Sequence, residues 1–282
     1  MDMTILVTGA TGRVGGQVLA QLPRDGVRAL VRDPATATLP DGVDVVRGDL
    51  SDPTTLDAAA KGVDSVFLVF PTMRADPVAA EVIAALTRHA RHVVYLSAAG
   101  VAEQHDGTGI IGSHARLEHL IEESGAEWTF LRPSGFAANT LMWAEQIRAG
   151  DVVRWFHGAA TRSLIHEYDI AAVAVRALTE DGHADARYHI TGPGQLTQVE
   201  QVHAIGQAIG RPLRFEQLTS EEAVRDLFAG MPSGIAGSIV DGHAEMVRHP
   251  EPVTSTVLDI TGTQARTFAQ WATDHAADFT RW

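Results

Sequence analysis

The chain has 282 residues, long enough for one large core with a smaller appendage. Its 22 basic and 35 acidic residues leave a formal charge of −13, which argues against a sequence-independent footprint on nucleic acid phosphates. Hydrophobic residues at 45% and charged residues at 20% exclude a disordered composition, and the absence of cysteine excludes disulfides, thiolate nucleophiles and cysteine-containing zinc sites.

Lys61 is the single lysine, so any step that needs a lysine must use it. No apolar run reaches the roughly 18 residues of a membrane helix. Met1-Asp2-Met3 leads straight into a strand-like run, and the expected location is cytoplasmic.

Thr4 to Thr8 reads as a short β-branched strand, followed by the glycine loop Gly9 to Gly16 and a helical segment from Gln17 to Leu22. Strands follow at Val27 to Val31 and Val43 to Arg47, then a helix over Thr54 to Lys61 with Pro53 in its first turn. Ser65 to Phe70 is a nearly continuous apolar run, as parallel strands buried on both faces require. A helix around Pro77 to His89, a strand His92 to Ser97, a polar loop to Gly112, a helix Ser113 to Ser124 and a strand Trp128 to Leu131 complete an alternating series.

That alternation predicts repeated βαβ units and an α/β, doubly wound parallel sheet. Beyond Pro133 the rhythm loosens, with a helix near Asn139 to Ala149, a strand near Ser163 to His166 and a helix Asp169 to Leu178. One more strand is expected at Tyr188 to Thr191. Helices are expected at Gln198 to Ile209, Ser220 to Phe228, within Gly234 to Arg248, and at Thr263 to Phe279. The expected organisation is a dinucleotide-binding domain over 1–150, and over 151–282 the last sheet strands interleaved with a smaller, mainly helical lobe.

Gly9, Gly12 and Gly15 stand between a strand and a helix. There the first makes a tight turn, the second admits a pyrophosphate close to the backbone, and the third lets helix and strand pack closely. Free N–H groups at the helix start favour the phosphates, so Gly9, Thr11, Gly12, Arg13, Val14 and Gly15 are candidate cofactor contacts. Arg32 ends the second strand, where a ribose-reading residue is expected. With Arg13 it favours the 2′-phosphate of NADP, while Asp33 beside it keeps NAD open.

Asp49 and Leu50 suit an adenine amino group and its ring, although Asp49 can equally cap the helix entered at Pro53. Phe70, Pro71 and Thr72, and Ser97 and Ala98, end the fourth and fifth strands and border the crevice at the carboxyl edge.

Together Thr8 to Gly15, Gly48-Asp49-Leu50, His114-x-x-x-Glu118, Trp128 to Pro133, Asp169-Ile170-Ala171 and Thr191-Gly192-Pro193 resemble the NmrA-like group of atypical short-chain dehydrogenases/reductases. The resemblance covers nearly the whole chain and implies a Rossmann domain with a small C-terminal substrate lobe. It also implies NAD(P)H as cofactor and an activity among quinone, dye and isoflavone-type reductases, or a redox-sensing regulator that binds the nucleotide without turnover.

Ordinary relatives pair a tyrosine acid with a lysine four residues on. None of Tyr95, Tyr168 and Tyr188 has such a lysine, and counting back from Glu118 places His114 and Ile110 at those positions. The expected chemistry is therefore hydride delivery to an acceptor that is already electrophilic, a quinone, a conjugated carbonyl or an aromatic natural-product intermediate. His114 is the candidate catalytic residue, donating a proton or hydrogen bond, or else a structural group, with Glu118 one turn on as its partner.

Pro133 and Phe136 are expected to cover the nicotinamide. Asn139, Trp143, Trp155 and His166 are expected to line the substrate pocket, with simple aromatic core as the competing reading. No metal site is expected, since the histidines lack ligand spacing. The chain is expected to act as a monomer or homodimer. The competing function is a regulator whose oxidised and reduced cofactor forms bind differently and bias contact with a protein partner.

Overall fold

Buried apolar strands set the architecture. In the computed structural model, which describes residues 3–71, 78–102, 109–231 and 233–280, seven strands form one parallel sheet. They are β1 (Ile5–Val7), β2 (Val27–Val31), β3 (Asp44–Arg47), β4 (Ser65–Leu68), β5 (His92–Leu96), β6 (Glu127–Pro133) and, later in the chain, β9 (Ala186–Ile190). Their order is β3-β2-β1-β4-β5-β6-β9, so the chain reverses direction across the sheet between β1 and β4. That switch point is where such sheets bind ligands outside the strands' carboxyl ends.

Every residue of β1, β4 and β5 is buried, which explains their nearly unbroken apolar runs. Helices α1 (Arg13–Gln21), α2 (Leu56–Ala60), α3 (Ala79–Thr87), α4 (Gly109–Glu123) and α6 (Glu167–Thr179) flank the sheet. Helix α4 starts before the expected Ser113. Pro77 and Thr72 lie outside the described residues.

The chain divides into two units, with the first boundary after Pro133 rather than at residue 150. The first unit consists of Met1–Pro133, Glu167–Ile190 and Thr256–Thr263. Its core includes Leu6, Leu30, Leu68, Val93, Tyr95 and Phe130, and α10 (Thr256–Thr261) packs on α6 and β9.

The second unit consists of Ser134–His166, Thr191–Ser255 and Gln264–Trp282. Its aromatic core contains Trp143, Trp155, Phe156, Phe228, Trp271 and Phe279. Helices α5 (Ala144–Ala149), α7 (Gln198–Ala208), α8 (Ser220–Asp226), α9 (Ser233–Arg248) and α11 (Phe268–Asp274) dominate it. Thr197, Thr219 and Thr267 start α7, α8 and α11 with reciprocal capping boxes to Glu200, Glu222 and Gln270.

Two expectations in this unit are corrected, and one strand pair is new. The strand near Ser163 to His166 lies earlier, as β8 (Thr161–Arg162), antiparallel to β10 (Leu196–Thr197), and Ile165 makes only an isolated bridge to Phe136. The helix expected over Thr263 to Phe279 is interrupted, because the Thr267 cap starts a separate α11 and a tight 3-10 turn follows at Ala276–Phe279. A parallel pair, β7 (Val152–Phe156) with β11 (Arg214–Leu218), was not expected at all. Among the described residues no helix is long and apolar enough to cross a membrane.

Candidate functional site

The loop after β1 is fixed before any ligand arrives. The Thr8 hydroxyl accepts from Val69 N at 2.7 Å and donates to Val69 O at 3.2 Å, tying the loop to the end of β4. Gly9 has φ +60°, and a Cβ there would lie 2.9 Å from that of Val69. A Cβ on Gly15 would lie 2.2 Å from Gly9 O, so this glycine lets α1 start against the turn.

Gly12 is the N-cap of α1. No side chain caps it, and no acidic residue stands in the first turn. The N–H groups at this helix start are left to an anion, and the macrodipole points the same way. Thr11 and Arg13 are exposed beside it, whereas Val14 is buried and packs the helix onto the sheet.

A cavity of about 940 Å³ opens from this loop along the carboxyl ends of β1, β2, β3 and β4. Thr8 to Thr11, Leu30 to Asp33, Thr36 to Thr38, Gly48 to Leu50 and Val69 to Pro71 line it. Of the expected cofactor contacts, Gly9, Thr11, Arg32, Asp49, Leu50, Phe70 and Pro71 lie together in this wall, and Gly12, Val14 and Gly15 do not line it. Arg13 is not among the lining residues. Thr36 and Thr38 were missed, and their only signal is a pair of hydroxyls just past the Asp33-Pro34 turn.

Asp33 spends its Oδ1 on Ala35 N at 3.0 Å, within its own turn. Asp49 Oδ1 accepts from Ser51 N and Ser51 Oγ, both at 2.8 Å. Those bonds, with the Arg32 charge nearby, hold the Asp49 carboxyl below its ordinary range. Asp52, not Asp49, caps the turn at Pro53, accepting from Thr54 N at 3.2 Å. The fit to a nucleotide is therefore concrete: a glycine cradle, an uncapped helix start, and a cation at the end of β2.

At the carboxyl end of β5 the expected pairing of His114 with Glu118 is overturned. Glu118 is buried and accepts from Ser97 Oγ at 2.5 Å and from Arg132 Nε and Nη2 at 2.9 and 2.5 Å. Its carboxylate is saturated by β5 and β6 and turns away from the helix surface. Ser97, expected at the crevice, is committed to this network, while Ala98 stays half-buried.

His114 instead meets Tyr95, with 2.7 Å between Nδ1 and Oη. Burial pushes the His114 pKa down to about 4 and the Tyr95 hydroxyl upward. That shift favours the neutral imidazole over the imidazolium near pH 7. Ile110, one turn earlier on α4, is exposed, and Pro133 is buried at the end of β6.

In the second unit, Trp143 and Trp155 are 2% and 4% exposed and meet edge to face at 6.0 Å. Trp155 also stacks on Phe156 at 5.0 Å, so the two tryptophans belong to the core. Phe136 is half-buried. His166 is buried, with its Nε2 3.4 Å from Asp274 Oδ2. Asn139 and Met142 are exposed.

Comparison with known proteins agrees with the cradle. A family model described as NAD(P)H-binding matches residues 9–181. The chain is 41% identical over 281 residues to (4-alkanoyl-5-oxo-2,5-dihydrofuran-3-yl)methyl phosphate reductase of Streptomyces griseus, covering 98% of this chain and 99% of that protein. It is 39% identical over 290 residues to the NAD(P)H azoreductase of Xenophilus azovorans, with 98% and 99% covered.

An NADPH-dependent quinone oxidoreductase from Escherichia coli, solved in complex with NADPH, shares the fold. Its TM-score is 0.81 at 24% identity, over 96% of this chain and 99% of that one. On the family match and the full-length similarity to two reductases, the chain belongs to the NAD(P)H-binding family.

Proposed function

We propose that the protein delivers a hydride from NADPH to a small, already electrophilic acceptor such as a quinone, a conjugated carbonyl or an azo compound. It is an NAD(P)H-dependent oxidoreductase that works without a tyrosine-lysine pair. The observation that carries this reading is the glycine cradle opening into a cavity with Arg32 in its wall.

In this reading Gly9, Gly12 and Gly15 admit the pyrophosphate to the start of α1. Arg32, with Thr36 and Thr38, holds the 2′-phosphate, and Asp49 with Leu50 takes the adenine. NADPH supplies the hydride. The chain's own residues orient the cofactor, and His114 donates a hydrogen bond to the oxygen or nitrogen that becomes negative. Of the four residues expected to line the substrate pocket, Asn139 is exposed, whereas Trp143, Trp155 and His166 are buried within the second unit.

The relatives support small conjugated acceptors. One acts on an alkanoyl-oxo-dihydrofuran phosphate, whose ring carbonyl is conjugated, and the other is an azoreductase. The regulator alternative has no support among them. A cytoplasmic monomer or homodimer is part of the same proposal.

The test is steady-state NADPH oxidation against quinones, enones and azo dyes, with NADH in parallel. Saturable turnover is expected, faster with NADPH at equal concentration. Tight NADPH binding without turnover on any acceptor would overturn the reading and return the regulator to consideration.

A further inference from the structure

We propose that Tyr95 is a positioning residue that holds His114 as the tautomer with its proton on Nε2, so that a neutral N–H donor is presented for the acceptor's oxygen. This rests on the proposed reductase reading and on His114 meeting the acceptor.

The argument starts from the hydroxyl. Tyr95 is fully buried on β5, and among the described residues His114 Nδ1 is its hydrogen-bond partner. A phenol carries one proton to donate, and a buried donor without an acceptor is costly. If Nδ1 carried the ring proton, it would donate to Oη and leave the phenolic proton without a place in the core. The arrangement that satisfies both groups has Tyr95 donating and Nδ1 accepting, which puts the ring proton on Nε2.

The surroundings hold this arrangement in place. Tyr95 meets Phe130 edge to face at 6.3 Å and the His114 ring at 5.8 Å, so the phenol has little freedom to swing away. Glu118, the nearest acid on the same helix, is taken by Ser97 and Arg132 and does not compete for the imidazole. Burial keeps the ring neutral near pH 7.

Tyr95 lies near the end of β5, two residues before Ser97, at the same carboxyl edge of the parallel sheet as the glycine loop after β1. The Nε2 of His114 has no hydrogen-bond partner among the described residues, and the side chain is only half-buried.

The chemistry balances without an acid. The hydride and its electron pair leave NADPH, giving NADP, and bond to the acceptor carbon. The π pair of the acceptor moves onto its oxygen, which the Nε2–H stabilises, and water supplies the final proton. Tyr95 touches neither reactant and acts only through the orientation and tautomer of His114.

Nitrogen-15 NMR of the full chain labelled at histidine tests the tautomer directly at pH 7. A protonated Nε2 and a hydrogen-bonded, unprotonated Nδ1 are expected for His114, with the Nδ1 resonance moving to its unbonded position in Tyr95→Phe. A protonated Nδ1, or an imidazolium, would overturn the proposal, and this arm needs no activity.

The kinetic arm uses Tyr95→Phe, His114→Ala and the double variant with NADPH saturating. Tyr95→Phe should lower kcat about tenfold with the NADPH Kd unchanged, and should add nothing in the His114→Ala background. An equal loss in that background would also overturn it. Unchanged kcat in His114→Ala, with the NMR result intact, would instead remove the catalytic assignment of His114.

Discussion

Arg132 and Glu118 form a two-pronged ion pair, with Nε to Oε1 at 2.9 Å and Nη2 to Oε2 at 2.5 Å, between side chains only 15% and 5% exposed. The pair joins β6 to α4, and Ser97 adds β5 through its own bond to Oε1. Removing one charge of such a pair leaves the other desolvated, at a cost of roughly 3–5 kcal/mol. Glu118→Gln is therefore expected to lower the unfolding free energy by about 3 kcal/mol in urea titrations. A change below about 1 kcal/mol would mean that water already reaches Arg132.

Gly15 tolerates no side chain, because its Cβ would stand 2.2 Å from the Gly9 carbonyl oxygen, which is backbone and cannot rotate aside. Gly15→Ala should displace the start of α1, so NADPH binding by fluorescence titration should weaken at least tenfold together with a lower Tm. Gly16→Ala is the control, since its Cβ would meet only Ala10 O, at 3.6 Å, and both properties should be kept.

Arg32→Ala removes the cation at the end of β2 while leaving the cavity open. Loss of a charge-assisted bond to phosphate is worth about 1.5–3 kcal/mol, a factor of about 10–100. KM for NADPH should rise by that factor while KM for NADH stays within about twofold. Equal losses with both cofactors would place Arg32 on a group that the two share.

His92, His114 and His243 are all driven toward the neutral form first by burial, His114 and His243 to about 4. In the unfolded chain each takes up a proton near its ordinary 6.5. The folded state binds fewer protons between these values, so stability is full above about pH 6.5 and falls as pH drops toward 4. The loss reaches roughly 3 kcal/mol for each of His114 and His243. Urea midpoints from pH 8 to 4.5 should show this decline, and His243→Gln should flatten it.

How much of this was legible in the sequence depended on burial. β1, β4 and β5 stood out because both faces are covered and the apolar runs are nearly unbroken, whereas the exposed edge strand β3 was legible only from its paired valines. Val152 to Phe156 and Arg214 to Leu218 did not, because their burial is irregular and each finds its partner far along the chain.

The cradle was readable from three glycines, since backbone geometry demands them. The partner of Glu118 was not. Helical spacing pointed to His114, whereas the stronger claim came from Arg132 on β6, a contact that only the packing of α4 on the sheet creates. Tyr95 looked irrelevant as a tyrosine without a lysine, and only the fold puts its hydroxyl against an imidazole.

The seventh strand of the sheet has a consequence for synthesis. β6 ends at Pro133, its partner β9 begins at Ala186, and α10 packs on β9 from Thr256. On the ribosome, the edge of β6 must wait, unpaired, while the intervening stretch is translated. At roughly 5–20 residues per second the bare β-edge of the nascent chain stays open for about 3–10 seconds, a window for edge-to-edge pairing before β9 arrives.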